Sequence, residues 1–199
     1  MRPLAVALEA RGCRVVNLGY PSRSAGIATL AAHVASQIRA VDDEAPLHFI
    51  THSLGGILLR VAVADGRLPL NRVGRVVMLG PPNRGSQVAD AFTQWPVLGA
   101  VYRYTTGPAG LELGIDPSGI VAQLPPLPFE AGIIAGSRSV NPLLSLFLPG
   151  PNDGKVSVAR ASVAGMRGFI VVPHAHPFLM RAPMAIAQAI RFLENGAFE

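Results

Sequence analysis

The chain has 199 residues, half of them apolar and only 15% charged. That length and composition suit one domain, residues 1–199, with a full hydrophobic core, and they exclude a disordered chain. The formal net charge of +5 does not point to nucleic acid, because the basic residues are almost all arginine, with Lys155 the only lysine, scattered singly without a basic cluster.

Residues 1–12, MRPLAVALEARG, read as an amphipathic helix with Pro3 in its first turn and Gly12 past its end. They do not have the basic start, apolar core and small-residue cleavage site of a signal peptide. Arg60 and Arg67 break the longest apolar run, so no membrane span is predicted and a cytoplasmic location is expected. Cys13 is the only cysteine and excludes an internal disulfide.

Val15 to Leu18 is predicted as a short strand ending in the turn Gly19-Tyr20-Pro21-Ser22. Residues 24–40 place Ile27, Leu30, Ala31, Val34 and Ile38 on one helical face. Leu47 to Thr51 is a second strand, in which His48 is expected to be a hydrogen-bonded core residue, and 54–65 is a helix apolar nearly all round. Arg75 to Leu79, Ala131 to Ala135 and Gly168 to Val172 are three more strands. A last helix opens at Pro183 and stops at Asn195-Gly196.

Strands alternating with helices imply parallel strands covered on both faces, hence an α/β, doubly wound, mostly parallel sheet of about five strands. The segment 86–129 interrupts the alternation with many Pro and Gly residues and is expected to be a cap or lid. Its Phe92, Trp95, Tyr102 and Tyr104 are candidates to line an acyl pocket or to form the core of the cap itself.

The polar residues gather after the strands, where open parallel sheets keep their functional groups. In FITHSLGGILLR, Ser53 stands at the joint between a strand and a helix, as an N-cap or as a nucleophile on a strained turn. Asp153 lies in the tight turn Asn152-Asp153-Gly154, and His174 and His176 follow the last strand. The order serine, acid, histidine is that of hydrolase triads, in which imidazole takes the serine proton and the acid orients the imidazole. The N–H of Leu54, at a helix start, is placed to hold a developing oxyanion. Asp116 is a competing acid in a turn of the cap region. His52 is expected to pack under the elbow and His33 to lie partly exposed, while Asn83 and Arg84 are expected to shape the loop beside Ser53. No carboxylate or cysteine spacing supports a metal site.

THSLGGILLR, MLGPPNRGS, PNDGKVSV and VVPHAHPFLM, in this order, resemble the bacterial lipase-like esterases of the α/β-hydrolase superfamily, with the likeness running over essentially the whole chain and including LGYPSRS. Thr51 stands where the family's first elbow glycine is usual. The resemblance implies Ser53 as nucleophile, Asp153 as acid, His176 as base with His174 the competing assignment, and Leu54 as oxyanion donor. It implies a serine ester hydrolase acting on a small-molecule or lipid-like ester with an apolar acyl group, without metal or organic cofactor and without a nucleic-acid partner. In the family a strand ending in a His-Gly loop normally precedes the helix that MRPLAVALEARG resembles and supplies a second oxyanion N–H. The chain opening at this helix therefore resembles a truncated member of an active family, or a catalytically impaired fragment serving as a binding or assembly module. Direct pairing of 15–18 with 47–51 would close the resulting gap in the sheet.

Overall fold

A strand covered by helices on both faces must be apolar on both, and Val76-Val77-Met78-Leu79 is such a run, with every member fully buried. The computed structural model describes residues 1–42, 45–93, 96–140 and 145–199. Its sheet has four parallel strands in the order β1 (Leu47–His52), β2 (Val73–Leu79), β3 (Ala131–Gly136) and β4 (Gly168–Val172). Residues in register share a face: Thr51, Met78 and Ile133 on one side, His52, Leu79 and Ile134 on the other.

The strand period of two sorts the core into two layers. Val76, Met78 and Ile133 pack with α2 (Ile27–Arg39) and α3 (Leu54–Ala64), through Ile27, Leu30, Ile57 and Leu58. Val77, Leu79 and Ile134 pack on the opposite side with α1 (Arg2–Glu9) and the last helix, through Leu4, Ala185, Ala189 and Phe192. Among the described residues no helix is long and apolar enough to cross a membrane.

The sequence expectations for α1, α2, α3 and the four strands hold within a few residues. The strand expected at 15–18 does not form. Those residues make no ladder, and β1 is the edge of the sheet with β2 as its one partner among the described residues. Two adjacent valines give strand propensity, but propensity without a hydrogen-bonding neighbour does not make a strand. Direct pairing with 47–51 is therefore absent.

Segment 86–129 carries more regular structure than its composition suggests, with α4 (Gln87–Thr93) and α5 (Pro96–Leu111), the latter kinked at Gly107 and Pro108. After β3 the chain forms the turn around Asn152 and the short α6 (Val158–Ala161). After β4 comes a 3₁₀ turn over His176–Arg181, then α7 (Pro183–Asn195), closed by Gly196. His48 is exposed rather than buried in the core, because it sits at the start of the edge strand. Its Nδ1 accepts a bond from the Arg75 N–H at 2.9 Å.

Candidate active site

Ser53 follows the last residue of β1 and caps α3 with φ 52° and ψ −123°; among the described residues it is the only non-glycine with positive φ. A serine in that region is strained by roughly 1–3 kcal/mol and needs neighbours that hold it there. Its N–H donates to the Leu79 carbonyl at 2.9 Å, which ties the joint to β2. The helix start is bare of side chains at Gly55 and Gly56. A Cβ on Gly56 would lie 3.3 Å from Thr51 Oγ1 and 3.4 Å from Met78 Sδ, so the glycines make room for Thr51 in the strand below. Leu54 is the first residue of α3, where an N–H has no carbonyl to meet within the helix.

Asp153 and His176 come together in the interior, 1% and 3% exposed, with Asp153 Oδ2 2.6 Å from His176 Nδ1. Their main chains are joined as well, the His176 N–H donating to the Asp153 carbonyl at 2.9 Å. The other carboxylate oxygen, Oδ1, accepts the N–H groups of Lys155 at 2.9 Å and Val156 at 2.8 Å. Asn152 shapes the turn by accepting the Gly154 N–H at 3.0 Å and donating to the Gly150 carbonyl at 3.0 Å. Two N–H groups thus hold Oδ1, which leaves Oδ2 directed at the imidazole.

With Nδ1 held by Asp153, Nε2 of His176 is buried and makes no hydrogen bond. His176, Ser53 and Leu54 all line one cavity of about 830 Å³. Its walls include Tyr20, Val88, Phe92, Tyr102, Leu113 and Met180, with Arg23 and Lys155 among its charged members. Burial, with a contribution from nearby Asp90, pushes the Tyr102 phenol up to about 12. An imidazole with a held Nδ1–H and a free Nε2 is able to accept a proton from a hydroxyl in the same cavity.

His52 packs beside this pair, its ring centroid 4.8 Å from that of His176, and its Nε2 donates to the His176 carbonyl at 3.0 Å. Burial above all, then the nearby His176, lowers its pKa to about 4, so the ring is neutral at neutral pH. His174 is not joined to Asp153. Its ring Nδ1 is buried without a partner, and its carbonyl accepts from Arg138. Asp116 is exposed and bonds the N–H and hydroxyl of Ser118, both at 2.8 Å, a local turn that lowers its pKa. Phe92 and Tyr102 line the cavity, Tyr104 is 83% exposed, and Trp95 lies outside the described residues. No group of three or more metal-ligating side chains occurs among the described residues.

One supporting residue escapes the sequence reading. Arg60, on α3, is 5% exposed without a carboxylate partner among the described residues, and burial lowers its pKa to about 10. Its guanidinium donates to Asn83 through both the carbonyl and Oδ1, each at 3.1 Å, and to the Pro125 carbonyl at 3.2 Å. It thereby ties the loop after β2 to the end of the 86–129 segment. Only its place inside an otherwise apolar helix could have signalled this.

No protein-family model matches the sequence, and no curated protein is similar to it by sequence alone. Solved structures are similar in three dimensions. The mature lipase BlEst2 of Bacillus licheniformis matches at a TM-score of 0.73 and 20% identity, over 87% of this chain and 76% of its own. Phospholipase PlaB of Legionella pneumophila matches at 0.72 and 17%, over 98% of this chain and 56% of its own. The protein has an α/β-hydrolase fold. A metagenomic carboxyl esterase shares it at 0.64 and 19% identity, over 85% of this chain and 62% of its own. Ser53 follows the edge strand β1, while Asp153 and His176 stand in the loops beyond β3 and β4.

Proposed function

We propose that this α/β-hydrolase is a serine ester hydrolase working through an acyl-enzyme. The observation that carries the reading is the buried Asp153–His176 pair at 2.6 Å, in which His176 has an unpartnered Nε2 and lines the same cavity as Ser53. Ser53 Oγ attacks the acyl carbon as His176 Nε2 takes its proton, and the Leu54 N–H bonds the carbonyl oxygen as it gains charge. The tetrahedral intermediate expels the alcohol, which receives the proton from His176. Water, deprotonated by the same imidazole, then releases the acid and restores Ser53. Asp153 keeps Nδ1 protonated and stabilises the imidazolium in both half-reactions.

The apolar wall of Leu54, Val88, Phe92, Leu113, Val156 and Met180 supports an apolar acyl group. The segment 86–129, which contributes α4 and α5 to that wall, acts as the cap over the site. The names of the similar structures, a lipase, a phospholipase and a carboxyl esterase, support ester chemistry. The experiment is labelling with a fluorophosphonate, with Ser53→Ala as control and mass spectrometry to locate the adduct. An adduct on Ser53 that the substitution removes is expected; a folded sample without one discards the reading.

A further inference from the structure

We propose that the Tyr20 hydroxyl is a second oxyanion donor, acting with the Leu54 N–H on the reacting carbonyl oxygen. The inference rests on the serine-hydrolase reading above. Tyr20 belongs to the turn that follows the unpaired residues 13–19, and its ring packs against the core while lining the cavity shared by Ser53, Leu54 and His176. A Cβ built on Gly55 would stand 3.6 Å from Tyr20 Oη and 3.7 Å from Thr51 Cβ. Gly55 directly follows Leu54, so the phenol lies over the start of α3 where the oxyanion would form.

Three other hydroxyls of the cavity wall are committed elsewhere. Ser86 donates to the Lys155 carbonyl at 2.8 Å, and Thr105 and Thr106 donate to the Tyr102 carbonyl at 3.0 and 2.7 Å. His52 donates to the His176 carbonyl. Tyr20 Oη makes no hydrogen bond to any described residue, so its proton is available at no cost to another contact. Burial pushes the phenol pKa up, which keeps it a donor through the neutral range. The step transfers no proton: Tyr20 O–H bonds the oxygen as negative charge develops and releases it when the carbonyl reforms. A donor aimed at that charge acts on the transition state more than on the bound ester.

The test compares wild type, Tyr20→Phe and Ser53→Ala in hydrolysis of p-nitrophenyl butyrate, together with inhibition by an aryl trifluoromethyl ketone, which forms a tetrahedral adduct with an activated serine. Phenylalanine keeps the ring packing, and a thermal melt verifies that the fold is retained. The expected result is a kcat lower by about 10- to 1000-fold with KM changed by less than about threefold, and ketone affinity weakened in parallel. A ring with a purely structural role would leave the ketone affinity and the split between kcat and KM unchanged. Ser53-dependent turnover that persists undiminished in Tyr20→Phe, or a fall in kcat without loss of ketone affinity, overturns the Tyr20 assignment alone. A folded wild type without Ser53-dependent turnover overturns the serine-hydrolase reading and this inference with it.

Discussion

Gly80, the residue after β2, lies so close to Asp153 that a Cβ built on it would stand 2.9 Å from Oδ2, and 3.1 Å from His176 Nδ1. Its φ of +54° is also one that side-chain-bearing residues rarely adopt. The backbone cannot easily yield, since the Gly80 N–H donates to the Ile134 carbonyl at 2.9 Å. Gly80→Ala should therefore move the carboxylate and the imidazole apart. We expect a stability loss of about 1–3 kcal/mol from the strained φ, and a fall in Ser53 labelling rate of about 100-fold from misplacement of the pair. Thermal melts and labelling kinetics on the same preparation separate the two effects. Full labelling of the alanine variant would show that the pair tolerates displacement.

Asp153→Asn tests direction rather than volume. The N–H groups of Lys155 and Val156 both point at Oδ1, so an amide must place its oxygen there and turn its nitrogen toward His176. An amide N–H facing Nδ1 forces the proton onto Nε2, and an Nε2–H cannot accept from Ser53. Esterase turnover should fall by about 10³- to 10⁴-fold with the fold preserved. A circular-dichroism melt alongside p-nitrophenyl butyrate hydrolysis is the measurement, and near-normal turnover would mean that another acid orients the imidazole.

The strands β2 and β3 were legible because burial on both faces requires unbroken apolar runs, and Val76 to Leu79 and Ile133-Ile134 supply them. Ser53, Asp153 and His176 could be found because each follows a strand in the chain. The preference for His176 over His174 came from the resemblance, since two histidines separated by a single residue differ in neighbours and not in pattern; it is His176 that meets Asp153. Residues 15–18 misled because a strand is defined by its partner, which composition does not encode. The helix α5 was hidden by Gly99, Gly107, Pro108 and Gly110, which break the apolar period. Arg60 and Gly80 were missed for a shared reason: their roles depend on loops distant in sequence.

Glu112 caps a helix to which it does not belong. The N-cap of α2 is Gly26, which has no side chain to offer, and Glu112 Oε2 instead accepts the Ile27 N–H at 2.7 Å from 85 residues away. This contact fastens the 86–129 segment, just past α5, to the helix beside the site. Replacing a carboxylate cap typically costs about 1 kcal/mol. Glu112→Ala should then lower the melting temperature by about 2–4 °C, and Glu112→Gln by less, since an amide oxygen still accepts. If the site depends on the segment's position, KM for p-nitrophenyl butyrate will rise in Glu112→Ala while kcat changes little. Equal KM values in all three proteins would separate the anchor from substrate binding.

His52 gives the site a pH dependence whose sign is fixed by its burial. Its folded pKa of about 4 lies below its ordinary value of 6.5, so between those values the unfolded chain binds a proton that the native protein does not. The stability this neutral ring contributes is complete above about pH 6.5 and is lost as pH falls toward 4. At pH 5 the loss is about 2 kcal/mol on these values. Glutamine at this position keeps a donor for the His176 carbonyl but cannot titrate. Urea unfolding at pH 7.5 and pH 5 should therefore show wild type losing about 2 kcal/mol more than His52→Gln, with other titrating groups cancelling in the difference. An equal acid loss in wild type and His52→Gln would mean that the interior takes up a proton at His52 without strain, and that its bond to the His176 carbonyl survives in the charged form.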